Sequence, residues 1–237
     1  MLEAQVLASM RQQAHPAPIQ LIMGNFVVVS HGRRGIDTPA MHEAAELARK
    51  AVRELDCDPF SLHLATQKFY RATSFIPFLA GDVAKTLRLL EQAEAHQLAA
   101  KSEAKTELEL LAWIDHAFPL YETIAKTHAR SGNVDEAVTA TEHLVELSPN
   151  DQRTWAARGQ ALLRAGRFEE ALNAYQAAVP LGGLPVARAT YHLGWLHGQL
   201  GNQAEENECY RTSQMIDPTV PAVNNMLEHA NPGKLSA

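Results

Sequence analysis

The chain has very little cysteine: Cys57 and Cys209 are the only two among 237 residues. No CxxC pair and no Cys/His ligand spacing occurs, so a disulfide framework and a structural zinc site are excluded, and two reduced thiols are expected. Basic charge is also short. Lys plus Arg is 21 against 27 Asp plus Glu, a formal charge of −6. That balance argues against nucleic-acid binding, which needs a net basic surface. No apolar run reaches the ~18 residues of a membrane span, so no membrane partner is expected. The most apolar stretch, Ile19 to Val29, is interrupted by Gly24 and Asn25. It starts late for a signal peptide and has only Arg11 upstream, so the cytoplasm is the expected compartment. Apolar residues at 46% and charged residues at 20% nevertheless describe an ordinary folded chain.

Catalytic signatures are missing too. There is no Walker loop, GxGxxG, GxSxG or HExxH, so no catalytic residue, cofactor or metal is expected. The eleven histidines are scattered; His192 and His197 stand five apart, which does not set both on one helix face. His31-Gly-Arg-Arg-Gly35 has two arginines and two glycines that could meet an anion, but it lacks the Lys-Ser/Thr of a phosphate loop and reads as a basic surface turn.

What the sequence does have is an internal repeat. Four glycines open similar segments: Gly81-Asp82-Val83, Gly132-Asn133-Val134, Gly166-Arg167-Phe168 and Gly201-Asn202-Gln203. The last three recur about every 34 residues. Ala137 and Ala171 occupy the same place in the unit, as do Thr141, Tyr175 and Tyr210, and Pro149 and Pro218 close the first and third units. Each glycine sits between two helix-like segments, where the turn calls for φ > 0. Asn150-Asp151 offers an N-cap for the helix that follows Pro149.

This pattern resembles the tetratricopeptide repeat, a helix–turn–helix unit of about 34 residues. The second unit fits best, with Trp155, Gly159, Gly166, Ala171, Tyr175 and Ala178, although Gly183 stands where Pro is usual. The first has Tyr121, Ala125, Gly132, Ala137 and Pro149, with Leu144 replacing a small residue. The third has Leu193, Gly194, Gly201, Tyr210 and Pro218, with Glu206 where Ala is usual. The units fall at about 118–151, 152–185 and 187–220, within a region spanning 117–220. The resemblance implies an all-α solenoid of paired helices.

The rest of the chain is less regular. Residues 41–116 read as helical, with an apolar stripe over Met41 to Leu55 and a divergent repeat at about 60–98. There the first helix would run from Phe60 to Leu79, with a kink at Pro77, and pair with one from Val83. A further helix is expected over Lys101 to His116. Residues 1–40 read as an irregular segment in which Leu2 to Gln13 is compatible with a helix. Ile19 to Ser30 is β-branched and compatible with a short hairpin around Gly24-Asn25, or else with a buried helix or an extended arm. Residues 221–237 read as a capping helix and tail, the helix expected over Met215 to His229 and the tail frayed from Asn231 to Ala237.

In the tetratricopeptide family the first helix of each unit lines a concave groove. Carried over by register, the groove residues are Lys126 and Arg130 beside Glu122, then Arg153, Gln160 and Arg164, then Arg188, Tyr191 and Trp195. Five cations against one acid make a locally positive channel in an acidic chain. The resemblance thus implies a non-catalytic scaffold or adaptor for a protein or peptide with acidic and apolar side chains, with Arg153 and Arg188 reading acid and Trp195 anchoring apolar surface. The family's carboxylate clamp is absent, since Ala157 occupies the place of its second-unit Asn. Rival expectations are an accessory or fragment of a repeat-linked transferase or hydroxylase, with a small site near Arg33 and Arg34, and a homodimer that pairs through Ile19 to Val29.

Overall fold

Short polar side chains and prolines set the helix starts. Thr38 accepts a hydrogen bond from the Met41 amide, with Pro39 opening the helix. Asp58 accepts from the Ser61 amide, with Pro59 in the same role. Asp82 and Asp151 cap through the amides of Lys85 and Arg153. Thr106 and Glu109 cap reciprocally. Each contact satisfies an amide that the first helical turn leaves unpaired.

The computed structural model describes residues 2–12, 15–183 and 186–220. Among them the chain is all-α, with twelve α-helices, one short 3₁₀ turn (Val179–Leu181) and no strand. It divides after Ser131 into two compact units, a break at Gly132 that lies inside the first of the three expected repeats.

The first unit holds α1 (Leu2–Arg11), α2 (Ala17–Arg33), α3 (Pro39–Arg53), α4 (Pro59–Thr73), α5 (Phe75–Leu79), α6 (Val83–Glu103) and α7 (Glu107–Arg130). Met10, Val27, Val28, Met41, Ala44 and Ala72 form its core, and Leu21, Ala48, Ala51 and Phe69 form a second buried cluster. A reciprocal pair ties α6 to α7: Trp113 Nε1 donates to the Gln97 carbonyl and Gln97 Nε2 to the Trp113 carbonyl, both at 2.7 Å.

The second unit holds α8 (Val134–Leu147), α9 (Gln152–Arg164), α10 (Phe168–Ala178), α11 (Val186–Gln199) and α12 (Gln203–Ile216). The turn glycines behave as the repeat requires: Gly81, Gly132, Gly166 and Gly201 all have φ between +72° and +82°. Small residues allow close approach inside each helix pair. A Cβ on Gly159 would lie 2.8 Å from the Tyr175 ring, and one on Gly194 would lie 2.9 Å from the Tyr210 ring. The same glycine–tyrosine contact thus recurs in successive units.

Four expectations need correction. Residues 1–40 are not irregular but mostly helical, and Ile19 to Ser30 lies within α2, the helical alternative and not the hairpin. The buried positions Gln20, Leu21, Gly24, Val27, Val28 and His31 form one helical face. Gly24 brings that face so near α3 that a Cβ there would sit 2.7 Å from the Ala48 Cβ. Tertiary burial overrides the β-propensity of isolated Ile and Val.

The chain from Phe60 does not kink at Pro77 but breaks at Ser74. Proline has no N–H to offer the carbonyl four residues back, and its ring crowds that position, so the ladder fails at Thr73. Lys101 to His116 is not a separate helix: α6 ends at Glu103 and α7 runs unbroken to Arg130, with Pro119 inside it. Finally, His31 to Arg33 is the last turn of α2, so only Arg34 and Gly35 of that motif form a turn. Of the expected capping helix over Met215 to His229, Met215 and Ile216 end α12, and the part beyond residue 220 lies outside the described residues, as does the expected tail.

Candidate functional site

In the second unit, α9 presents Arg153, Gln160 and Arg164 to solvent, at spacings that keep them on one helical face. From α11, Arg188 is exposed, and Tyr191 and Trp195 are half-buried one and two turns on. The α10 residue Tyr175 connects the two sets. Its side chain is 2% exposed, and burial raises its hydroxyl pKa, while Arg164 and Arg188 both lie close enough to act against that rise.

The α11 aromatics are held by neighbours. Trp195 meets the Phe168 ring edge-on, with centroids 5.6 Å apart at 85°. Tyr191 packs against His192 and Tyr210, each at 5.4 Å between centroids. His192 stacks on Tyr175 at 5.1 Å. Burial, with Arg188 nearby, pushes the His192 pKa down to about 4, so the ring is neutral at physiological pH. The exposed guanidiniums therefore stand beside a neutral aromatic floor, a surface suited to acid and apolar contacts together.

The cations are not equivalent. Arg153 Nε donates to its own cap residue, Asp151, at 3.0 Å. Arg164 and Arg188 have no hydrogen bond or ion pair among the described residues. Gln160 is exposed. Arg158, which the sequence reading passed over, is half-buried and bonds Glu142 at 3.0 Å, linking α8 to α9.

In the first unit, Lys126 and Arg130 are exposed on α7. Lys126 Nζ bonds Glu122 at 2.7 Å, one turn back. Arg130 lies over the Phe78 ring, 4.4 Å from its centroid. Arg34 bonds Glu3 at 2.6 Å, whereas Arg33 is exposed without a bonded partner among the described residues. Among those residues no three His, Cys, Asp or Glu gather as metal ligands, and no helix is long and apolar enough to cross a membrane.

Paired helices joined by left-handed glycine turns, with a glycine–tyrosine contact in successive pairs, define a helix–turn–helix repeat protein. The tetratricopeptide repeat family model matches residues 123–185 and 156–211. Residues 123–211 are therefore tetratricopeptide repeats. Similar solved structures include YrrB, described as a TPR protein with an unusual peptide-binding site, at 16% identity over 91% of this chain and 93% of that one, TM-score 0.55. They also include MamA from Desulfovibrio magneticus RS-1, at 14% identity over 86% of this chain and 98% of that one, TM-score 0.53. MamA of AMB-1 is 18% identical over 88% of this chain and 97% of that one, TM-score 0.50. At these identities the likeness is one of fold. No curated protein matches the chain.

Proposed function

We propose that the protein is a non-catalytic scaffold or adaptor that docks an acidic, partly apolar peptide segment on the exposed α9 and α11 face of its second unit. The observation that carries this reading is the pair Arg164 and Arg188, two exposed guanidiniums without an acid partner among the described residues, both near the buried Tyr175 that stacks on His192. Free guanidiniums offer bidentate donors to carboxylates, and half-buried Trp195 and Tyr191 add apolar contact at little further ordering cost. Arg153 contributes less, because Asp151 already holds it. YrrB, a TPR protein with an unusual peptide-binding site, is a fold relative compatible with such a role. The groove positions on the first unit, Lys126 and Arg130, belong to the same reading as a separate contact surface.

The test compares native partners captured by wild type and by Arg164→Glu, Arg188→Glu, Trp195→Ala protein, with circular dichroism confirming that the variant folds. Loss of capture by the folded variant is expected. Equal capture by both proteins refutes docking on this face.

A further inference from the structure

A cavity of about 240 Å³ opens in the first unit between the end of α2, the α4–α5 junction and α7. Arg33, Arg71, Lys126 and Glu122 line it, and the half-buried Phe75 and Phe78 rings supply an apolar wall. Lys126 and Glu122 satisfy one another. The two arginines do not: among the described residues neither has a hydrogen bond or an ion pair. Arg33 is exposed, but Arg71 is half-buried. The hydroxyls around the cavity donate to carbonyls of their own helices, so they do not compensate an anion in place of the guanidiniums.

Burial, reinforced by Arg33 and only partly offset by Glu122, pushes the Arg71 pKa down to about 10. The neighbourhood stays positive. Lys68 is likewise depressed by burial and by Arg71, with Asp115 opposing. Three cations (Arg33, Arg71, Lys126) thus line the cavity against one carboxylate (Glu122), in a chain whose overall charge is −6. A half-buried, uncompensated arginine destabilises a fold by itself, and an anion bound beside it would reverse that penalty.

We propose that this cavity is a binding site for a small oxyanion, a phosphate or carboxylate group carried on a compact apolar body, held by the Arg33 and Arg71 guanidiniums against the Phe75 and Phe78 rings. The α2 end supplies no amide donors to an anion, since it is a C-terminus, so recognition rests on the two forks. The site is independent of the peptide surface on the second unit, and either can fail without the other.

The experiment is thermal unfolding of the full chain with inorganic phosphate, phenyl phosphate or benzoate, against sodium chloride of matched ionic strength. Phenyl phosphate is expected to raise the wild-type Tm by about 5 °C, more than inorganic phosphate does, because only the former also covers the rings. Benzoate in place of phenyl phosphate as the stronger ligand would assign the site to carboxylates. Arg71→Leu should raise the Tm without ligand, by removing an uncompensated charge, and abolish the anion shift. Arg33→Gln, at an exposed position, should leave the ligand-free Tm unchanged and weaken the shift. The proposal is overturned if no anion exceeds the chloride control, if the shift survives in Arg71→Leu or is undiminished in Arg33→Gln, or if Arg71→Leu lowers the ligand-free Tm.

Discussion

Acidification from pH 7 to pH 5 is expected to cost the second unit about 2 kcal/mol through His192 alone. The native pKa is about 4 because the ring is buried against Tyr175 with Arg188 beside it. In the unfolded chain the same ring titrates near 6.5. Between these values the unfolded state binds more protons than the native state, so stability falls as the pH falls. The contribution is complete above about pH 6.5, declines toward pH 4 and is flat below it. His116 in the first unit behaves the same way, its pKa pushed down to about 4 by burial, then by Lys68 and Arg71, with Asp115 opposing. His96 is also lowered by burial and by His63, whose Nδ1 lies 2.9 Å from its own Nδ1. Carboxylates held low by partners, such as Glu43 and Asp58, lose their contribution only at more acid pH. The window between pH 6.5 and about 5 therefore belongs to histidine. Urea unfolding at pH 7 and pH 5 measures the effect. His192→Phe keeps a ring on Tyr175 and removes the titration, so the variant should lose about 2 kcal/mol less than wild type over that interval. Identical pH dependence in the two proteins contradicts the assignment.

The second large effect lies in the glycine–tyrosine contact of the second unit. Tyr175→Ala should cost about 3–5 kcal/mol, since it empties the space of a 2% exposed ring in the middle of a core cluster. Gly159→Ala should cost about 1–3 kcal/mol, despite alanine's better helix propensity, because its Cβ would lie 2.8–2.9 Å from three atoms of that ring. The two changes should not add. Once Tyr175 is alanine the obstruction is gone, and Gly159→Ala becomes neutral or stabilises by up to about 1 kcal/mol. A double-mutant cycle by chemical denaturation reads a coupling of about 2 kcal/mol; a sum equal to its parts would show that the ring yields freely.

Several features were legible in the sequence because they are local. Gly81, Gly132, Gly166 and Gly201 mark turns that need a left-handed residue, and all four adopt one. Asp151 caps the helix that follows it. The repeat register named Gly159, Tyr175, Gly194 and Tyr210, and the packed helices bring each glycine against its tyrosine, where close approach leaves no space for a Cβ. Two site details were also within reach. Lys126 follows Glu122 by four residues and Arg153 follows Asp151 by two, and both cations are held by those acids. Pro18 near a helix start and the spacing of Leu21, Gly24, Val28 and His31 were helical signals within the β-branched segment.

The sequence by itself determined that this is an all-α repeat protein, its period and its turn positions, since backbone conformation at glycine, proline and capping residues depends on near neighbours. Only the tertiary structure decided the rest. α2 is a helix because α3 receives its Gly24 face, and propensity alone does not include that burial. Arg164 and Arg188 stand out because no acid among the described residues pairs with them, and both lie close enough to Tyr175 to act on its hydroxyl. Arg33 and Arg71 are far apart along the chain and come to one cavity through the packing of three elements. Charge compensation and cavity formation depend on which distant residues meet, and that information belongs to the packed chain.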